Sequence, residues 1–465
     1  MTRIVVIGGG PAGYEAALVA AQLGAEVTVV ERDGIGGACV LYDCVPSKTF
    51  IASSDARTAF STADRLGIDA GPTAGIGVDA PAIHQRVQAL ALAQSADVGR
   101  QLSRVGVQVV SGEAGLTDAG ASRRHRVDIA GCGAVDTIDA DIVLVATGAT
   151  PRILPLAQPD GERILTWRQV YDLPELPEHL VVVGSGVTGA EFASAYVALG
   201  VDVTLVSSRD RVMPGEDSDA AELIEDVFTR RGMTILARAR ANSVRRSGDG
   251  VVVELADGRV VEGSHALIAV GSVPNTADLG LADAGVALGP GGFVAVDRVS
   301  RTNVPGIYAA GDVTGVLMLA SVAAMQGRIA MWHALGEAVA PLRLQTVSAN
   351  VFTNPEIATV GIGQVTVDSG FVLARTVKLP LATNARAKMA GITDGFVKLF
   401  CRPSSGLVIG GVVVAPRASE LILPIALAVE NHLTVDQIAH TISIYPSLSG
   451  SLTETARQLM QHEFD

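Results

Sequence analysis

Cysteine is scarce, four residues in 465. So few exclude a disulfide scaffold, and a close cysteine pair in a reducing compartment points to chemistry rather than to stapling. Positive charge is in deficit as well: 35 Lys and Arg against 48 Asp and Glu leave a net charge of −13, which argues against a nucleic-acid partner, whose phosphates need Lys and Arg. Long apolar runs are missing. Hydrophobic residues make up 48% of the chain but come in strand-length stretches broken by Gly, Pro or charge, short of the roughly 18 needed to span a bilayer. No membrane span is expected. The opening Met1-Thr2-Arg3 enters a strand without the charged region, apolar core and cleavage site of a secretory leader, so the expected location is cytoplasmic. The length suggests about two to four domains.

What is present begins with a nucleotide-binding pattern. Arg3 to Ile7 reads as a buried strand, Gly8-Gly9-Gly10-Pro11-Ala12-Gly13 opens a helix running through Tyr14 to Gly24, and Glu26 to Glu31 forms the next strand. A lone G-x-G-x-x-G is a weak signal; between a strand and a helix, with an acid eighteen residues after Gly13, it is a strong one. The glycines allow a tight turn, approach of a pyrophosphate to the helix N-terminus and close helix packing, while Glu31 can accept from ribose hydroxyls.

Next comes Gly36-Gly37-Ala38-Cys39-Val40-Leu41-Tyr42-Asp43-Cys44-Val45-Pro46-Ser47-Lys48, with two cysteines five positions apart. On a helical turn such a pair can bring its sulfurs within bonding distance, and Lys48 lies one further turn along. The plainer alternative is two small buried hydrophobes, since free cysteine is often buried. Cys132 and Cys401 stand in ordinary strand or loop contexts and read as structural.

An Ala-rich helix follows from about Pro81 to Val105, then a strand near Gln108 to Ser111, a polar hairpin-like section through Asp141, and a buried strand at 142–148 ending in Thr147-Gly148. After a Pro-rich crossover from Pro151 to Pro177 the nucleotide unit repeats: strand Leu180 to Val183, Gly184-Ser185-Gly186-Val187-Thr188-Gly189, a helix through Leu199 and strand Asp202 to Val206. Gly184 stands 176 positions after Gly8, so two dinucleotides are expected in one chain, with electron transfer between them. Eighteen residues past Gly189 stands Ser207, followed by Ser208, Arg209 and Arg211. Losing the carboxylate at that position removes its repulsion of a 2′-phosphate, and the nearby arginines can pair with one, favouring NADPH over NADH. A solvated basic loop is the alternative. A strand within Ala266 to Asn275 passes Gly271, and a later one ends in Gly311-Asp312, placing a carboxylate at the strand edge where α/β sheets bind ligands. From about Gln345 onward, strands Phe396 to Cys401 and Val408 to Ala415 and helices around Leu421 to Glu430 and Val435 to Ala439 carry no nucleotide motif.

The two glycine motifs, Cys39-x4-Cys44, Pro46-Ser47-Lys48 and Gly311-Asp312, in this order, resemble the flavoprotein disulfide reductases, the class I pyridine nucleotide-disulfide oxidoreductases, along the whole chain. The resemblance implies an α/β protein with two Rossmann-like dinucleotide-binding domains, for FAD and NAD(P)H, and a C-terminal α+β dimerisation domain. The FAD domain would comprise 1–149 and 271–344, the NAD(P)H domain 150–270 and the homodimer interface 345–465. FAD would be bound by Gly8, Gly10, Gly13, Glu31, Gly37, Lys48, Ala114, Thr147, Gly148, Gly311, Asp312 and Ala320, and NAD(P)H by Gly184, Gly186, Gly189, Ser207, Ser208, Arg209, Arg211 and Gly271. Lys48 would pair with Glu191 beside the flavin, Cys44 would lie against the ring, and Cys39 would attack a substrate disulfide.

Two departures then decide the functional reading. The family's His-Pro-Thr-x-x-Glu acid–base stretch is here Tyr445-Pro446-Ser447-Leu448-Ser449-Gly450. A positioned acid or base is worth about 10² to 10⁴ in rate, and tyrosine, with a reference pKa of about 10, replaces it poorly. The nearest histidines, His440 and the tail residue His462, lie outside that stretch. Leu41 and Asp43 stand where the family usually has Asn and Gly, and Asp43 should raise the Cys44 thiol pKa. A chain that keeps both cofactors but lacks the exchange base is expected to reduce an acceptor needing no disulfide chemistry, and it looks like the quinone-reducing branch of the family. Three alternatives remain. A mercuric reductase would need a C-terminal cysteine pair, absent from Gln461-His462-Glu463-Phe464-Asp465; a lipoamide dehydrogenase is disfavoured by Tyr445, Gly450 and Ser207; a non-enzymatic redox sensor is disfavoured by the intact Lys48 and Glu191.

Overall fold

The stretch Arg3–Ile7 buries its last four residues, as a strand does when both faces of its sheet are covered. In the computed structural model, which describes residues 1–460 except 70, 72–75, 118–123 and 132–133, it is the central strand of a parallel sheet. The order is Ile307–Ala309, Ile142–Val145, Arg3–Ile7, Glu26–Glu31, Gln108–Ser111. Cys132 and the tail at 461–465, with His462, lie outside the described residues.

A second parallel sheet centres on His179–Val183, in the order Thr234–Leu236, Asp202–Val206, His179–Val183, His265–Ile268, Ile164–Leu165. The offset between Gly8 and Gly184 holds for whole elements. Helix Pro11–Gln22 matches Val187–Ala198, and Glu26–Glu31 matches Asp202–Val206. A third, antiparallel sheet runs Ser348–Val351, Glu356–Gly361, Val408–Ala415, Phe396–Cys401, Arg375–Pro380.

The chain forms two compact units. One comprises Met1–Thr49, Ala82–Arg152 and Gly271–Arg343; the other comprises Phe50–Pro81, Ile153–Val270 and Leu344–Asp465. In the first, Val6, Val29, Leu144 and Ala17 share a core. In the second, Phe50 packs on Tyr196 with ring centroids 5.0 Å apart and on Tyr171 at 6.2 Å, which ties 50–81 to the second glycine-motif helix.

Three local expectations shift. The first motif helix opens inside the motif at Pro11, since proline suits the first helical position, where an N–H would have no partner, but ends at Gln22 rather than running to Gly24. The stretch 266–275 holds two strands: His265–Ile268 joins the second parallel sheet, while Ser272–Pro274 pairs antiparallel with Ala149–Pro151. The helical region around Leu421 is split into Ala418–Leu421 and Leu423–Glu430, the second with a proline in its first turn.

Candidate active site

Both glycine motifs have the same stereochemistry. Gly8 has φ +105°, and a Cβ there would fall 2.4 Å from the Ala146 carbonyl oxygen; a Cβ on Gly13 would fall 1.9 Å from the Gly8 oxygen. Gly184 and Gly189 repeat this at 2.2 Å from the Ala269 oxygen and 1.9 Å from the Gly184 oxygen. The first and third glycines are thus demanded by the protein's own backbone. The middle ones differ: a Cβ on Gly10 would meet no atom closer than 3.9 Å and one on Gly186 none within 4 Å. Each caps its helix without a side-chain bond, and neither helix has an acid in its first turn. Open space before a bare helix N-terminus suits an anionic pyrophosphate, so the residues fit a dinucleotide in each unit. Glu31 closes the first loop, its two oxygens accepting from the N–H of Gly9 at 2.6 Å and of Asp33 at 2.8 Å.

The cysteines stand on two helices rather than one. Cys39 lies in Gly37–Leu41, the chain breaks at Tyr42-Asp43, and Cys44 begins Cys44–Ser61. Gly37, at φ +58°, seats the first of these against the glycine loop, for a Cβ there would lie 2.9 Å from the Cα of Gly10. Both thiols are free, and their side chains are hydrogen-bonded to each other. That bond first, then burial, then the Asp43 carboxylate push the Cys44 thiol far up, with Lys48 pulling the other way. Tyr14 lies in the same field: burial and the nearby Cys39 push its phenol up to about 12.

A later segment completes the first unit. Thr147 Oγ1 donates to the Asn275 carbonyl at 2.7 Å, and Asn275 Nδ2 donates back to the Thr147 carbonyl at 2.8 Å, holding the Thr147-Gly148 turn, with Gly148 at φ +69°. Gly311 N–H donates to the buried Gln326 Oε1 at 2.9 Å. Beside it, burial and the charge of Asp43 raise the Asp312 carboxyl to about 6. Ala320 begins the helix Ala320–Ala334, and Ala114 lies in the strand Glu113–Thr117. Gly271 belongs to this unit, its carbonyl accepting from Arg152 N–H at 2.9 Å. Asn275 and Gln326 were no part of the sequence-based site; they act on residues 128 and 15 positions away, with no local pattern to reveal them.

In the second unit Ser207 is fully buried. Its hydroxyl accepts from Ser185 at 2.7 Å and from Arg209 N–H at 3.1 Å, and lies 3.3 Å from the Arg209 and Arg211 carbonyls. The serine therefore knots the loop on which Ser208 and Arg209 are exposed. Glu191 is 3% exposed and accepts from Phe352 N–H at 2.9 Å. Tyr445 is 85% exposed, and Gly450, in the place expected for a glutamate, begins the helix Gly450–Leu459 with its N–H on Ser447 Oγ at 3.1 Å.

Residues 2–327 match the model of the pyridine nucleotide-disulphide oxidoreductases, and 347–456 match that family's dimerisation domain. The chain is 62% identical over its full length to a protein of Mycobacterium tuberculosis named NAD(P)H dehydrogenase (quinone), covering 95% of it. It is 33% identical to a dihydrolipoyl dehydrogenase of Chlorobaculum tepidum, with 98% of this chain and 97% of that one covered. Among solved structures, LpdA of Mycobacterium tuberculosis superimposes with a TM-score of 0.95 at 61% identity, covering 99% of this chain and all of that one. With two dinucleotide cradles, a thiol pair between glycine loop and helix, and family matches along nearly its whole length, this chain belongs to the class I pyridine nucleotide-disulfide oxidoreductases.

Proposed function

We propose that the protein is an NAD(P)H dehydrogenase that reduces quinones, with NADPH as its favoured donor and FAD as its resident cofactor. The observation that carries this reading is the thiol site. Thiol–disulfide exchange needs a thiolate to attack and a proton donor for the leaving thiol. Here the positions expected for a His-Glu pair, which would move the proton of the attacking Cys39 and of the leaving thiol, hold the exposed Tyr445 and Gly450, and Cys39, burial and Asp43 hold the neighbouring Cys44 thiol far above the usual range. Quinone reduction needs neither: NAD(P)H, a proton and the quinone give NAD(P)⁺ and the hydroquinone, and the proton can come from water. The 62% identical relative's name supports the same acceptor.

Gly8, Gly10, Gly13, Glu31, Gly37, Lys48, Ala114, Thr147, Gly148, Gly311, Asp312 and Ala320 would hold FAD within 1–149 and 271–344. Gly184, Gly186, Gly189, Ser207, Ser208, Arg209, Arg211 and Gly271 would hold the nicotinamide nucleotide, chiefly within 150–270. When bound, FAD supplies a carrier that takes hydride from the nicotinamide and yields electrons to the acceptor. The chain's own contribution is the pair of anion cradles, a serine in place of the acid at 207 with Arg209 and Arg211, on either side of Asp210, for a 2′-phosphate, and the Lys48 charge next to Cys44. Residues 345–465 would form the interface of a homodimer, a reading supported by the dimerisation-domain match and by the exposure of Ile442, Ile444 and Tyr445 at 99, 80 and 85%. No described helix is long and apolar enough to cross a membrane, which fits a cytoplasmic place of action. The test is NADPH oxidation by the purified protein with a benzoquinone, lipoamide and oxidised glutathione in parallel. Turnover with the quinone alone is expected; comparable turnover with either disulfide would overturn the assignment.

A further inference from the structure

One lysine of the C-terminal sheet is almost wholly buried. Lys398, in the strand Phe396–Cys401, exposes 2% of its side chain and donates to Asp217 at 2.9 Å and Asp219 at 2.7 Å. Asp217 is equally buried, and Lys378 reaches the other oxygen of Asp219 at 2.6 Å. All four residues lie in one compact unit. Taking a lysine and an aspartate out of water carries a penalty that their attraction only roughly offsets, and an apolar pair of similar volume often stabilises as well or better. Stability alone does not account for the pair. Its place does.

Asp217 closes the loop that begins at Ser207, and it caps the helix Ser218–Arg230 by accepting from the N–H groups of Asp219 and Ala220. Within that loop Met213 N–H donates to the carbonyl of Ser185, inside the second glycine motif, at 2.8 Å, and the Arg209 carbonyl accepts from Arg238 N–H at 2.7 Å. Val212 and Met213 are buried. The loop bearing Arg209 and Arg211 is thus tied to the glycine motif on one side, and its far end is fixed through Asp217 to a different sheet. We infer that Lys398 is a positioning residue for nucleotide choice: through Asp217 it holds the 207–217 loop where Arg209 and Arg211 meet the 2′-phosphate of NADPH. This rests on the NADPH reading above.

The test is titration of the purified holoenzyme with NADPH and with NADH, in wild type, Lys398→Met, Lys398→Arg and Asp217→Asn, together with kcat for a benzoquinone at saturating nucleotide. Lys398→Met should weaken NADPH binding about tenfold, the loss of roughly one charge-assisted hydrogen bond. NADH binding and kcat should stay within about twofold, a split that a general loss of structure would not produce, and Lys398→Arg should restore most of the preference. Asp217→Asn keeps a side chain competent to cap the helix and should move the NADPH-to-NADH ratio the same way even where Lys398→Met folds poorly. A ratio unchanged in both variants, or both nucleotides weakened alike, overturns the inference while the wild-type preference stands. A wild type that binds NADH as tightly as NADPH overturns the NADPH reading and this inference with it.

Discussion

Asp43 acts on two groups at once. It raises the Cys44 thiol, and it raises Asp312, which burial has already pushed toward the neutral form. The thiol effect was readable in the sequence, because a carboxylate one residue from a cysteine acts at short range whatever the fold. The effect on Asp312 was not, since 43 and 312 meet only once the last strand of the first parallel sheet has formed. With Asp312 near 6 and the unfolded value about 4, the folded chain holds a proton that the unfolded chain has already released. That contribution is complete below about pH 4 and is lost as pH rises through 6. In cofactor-stripped protein, Asp312→Asn should therefore gain on the order of 2 kcal/mol at neutral pH and almost nothing near pH 4. Urea unfolding across that range measures it, and a gain that did not change with pH would contradict the assignment.

At the scale of elements, the repeated strand–glycine loop–helix unit was the most legible feature, because its glycines answer to backbone collisions and carry their signal in a span of a few residues. Both glycine loops emerged with their strands at the expected positions. What stayed hidden was whatever depends on distant partners: the Asn275 clasp on Thr147, Gln326 under Gly311, and the attachment of 50–81 through Phe50. The break between Cys39 and Cys44 was hidden too, because five-residue spacing suits one helix as well as two. The two cradles can be disabled separately. Gly189→Ala sets a Cβ 1.9 Å from the Gly184 oxygen, so it should abolish NADPH-driven turnover by more than a hundredfold, about 3 kcal/mol, while the purified protein keeps its flavin absorbance. Loss of the flavin as well would show that the second cradle is not dedicated to the nicotinamide nucleotide.

For the molecule as a whole, the family match spans the dinucleotide-binding part and the dimerisation part alike, and the fold was therefore legible from the order of motifs. The proposed acceptor rests in the sequence only on what the chain has in place of a base, Tyr445 and Gly450. Lys398 and its aspartates left no trace in the sequence, for a lone lysine in an apolar strand shows neither its burial nor its partner 181 residues away. The central claim is that electrons reach a quinone without passing through the thiol pair. The most direct measurement is the steady-state rate of quinone reduction by Cys44→Ser at saturating NADPH. We expect the rate to stay within about threefold of wild type, since passage of electrons from the flavin to a quinone requires no thiol–disulfide exchange. A fall of a hundredfold or more, with flavin content unchanged, would place the cysteines in the electron path and contradict the account.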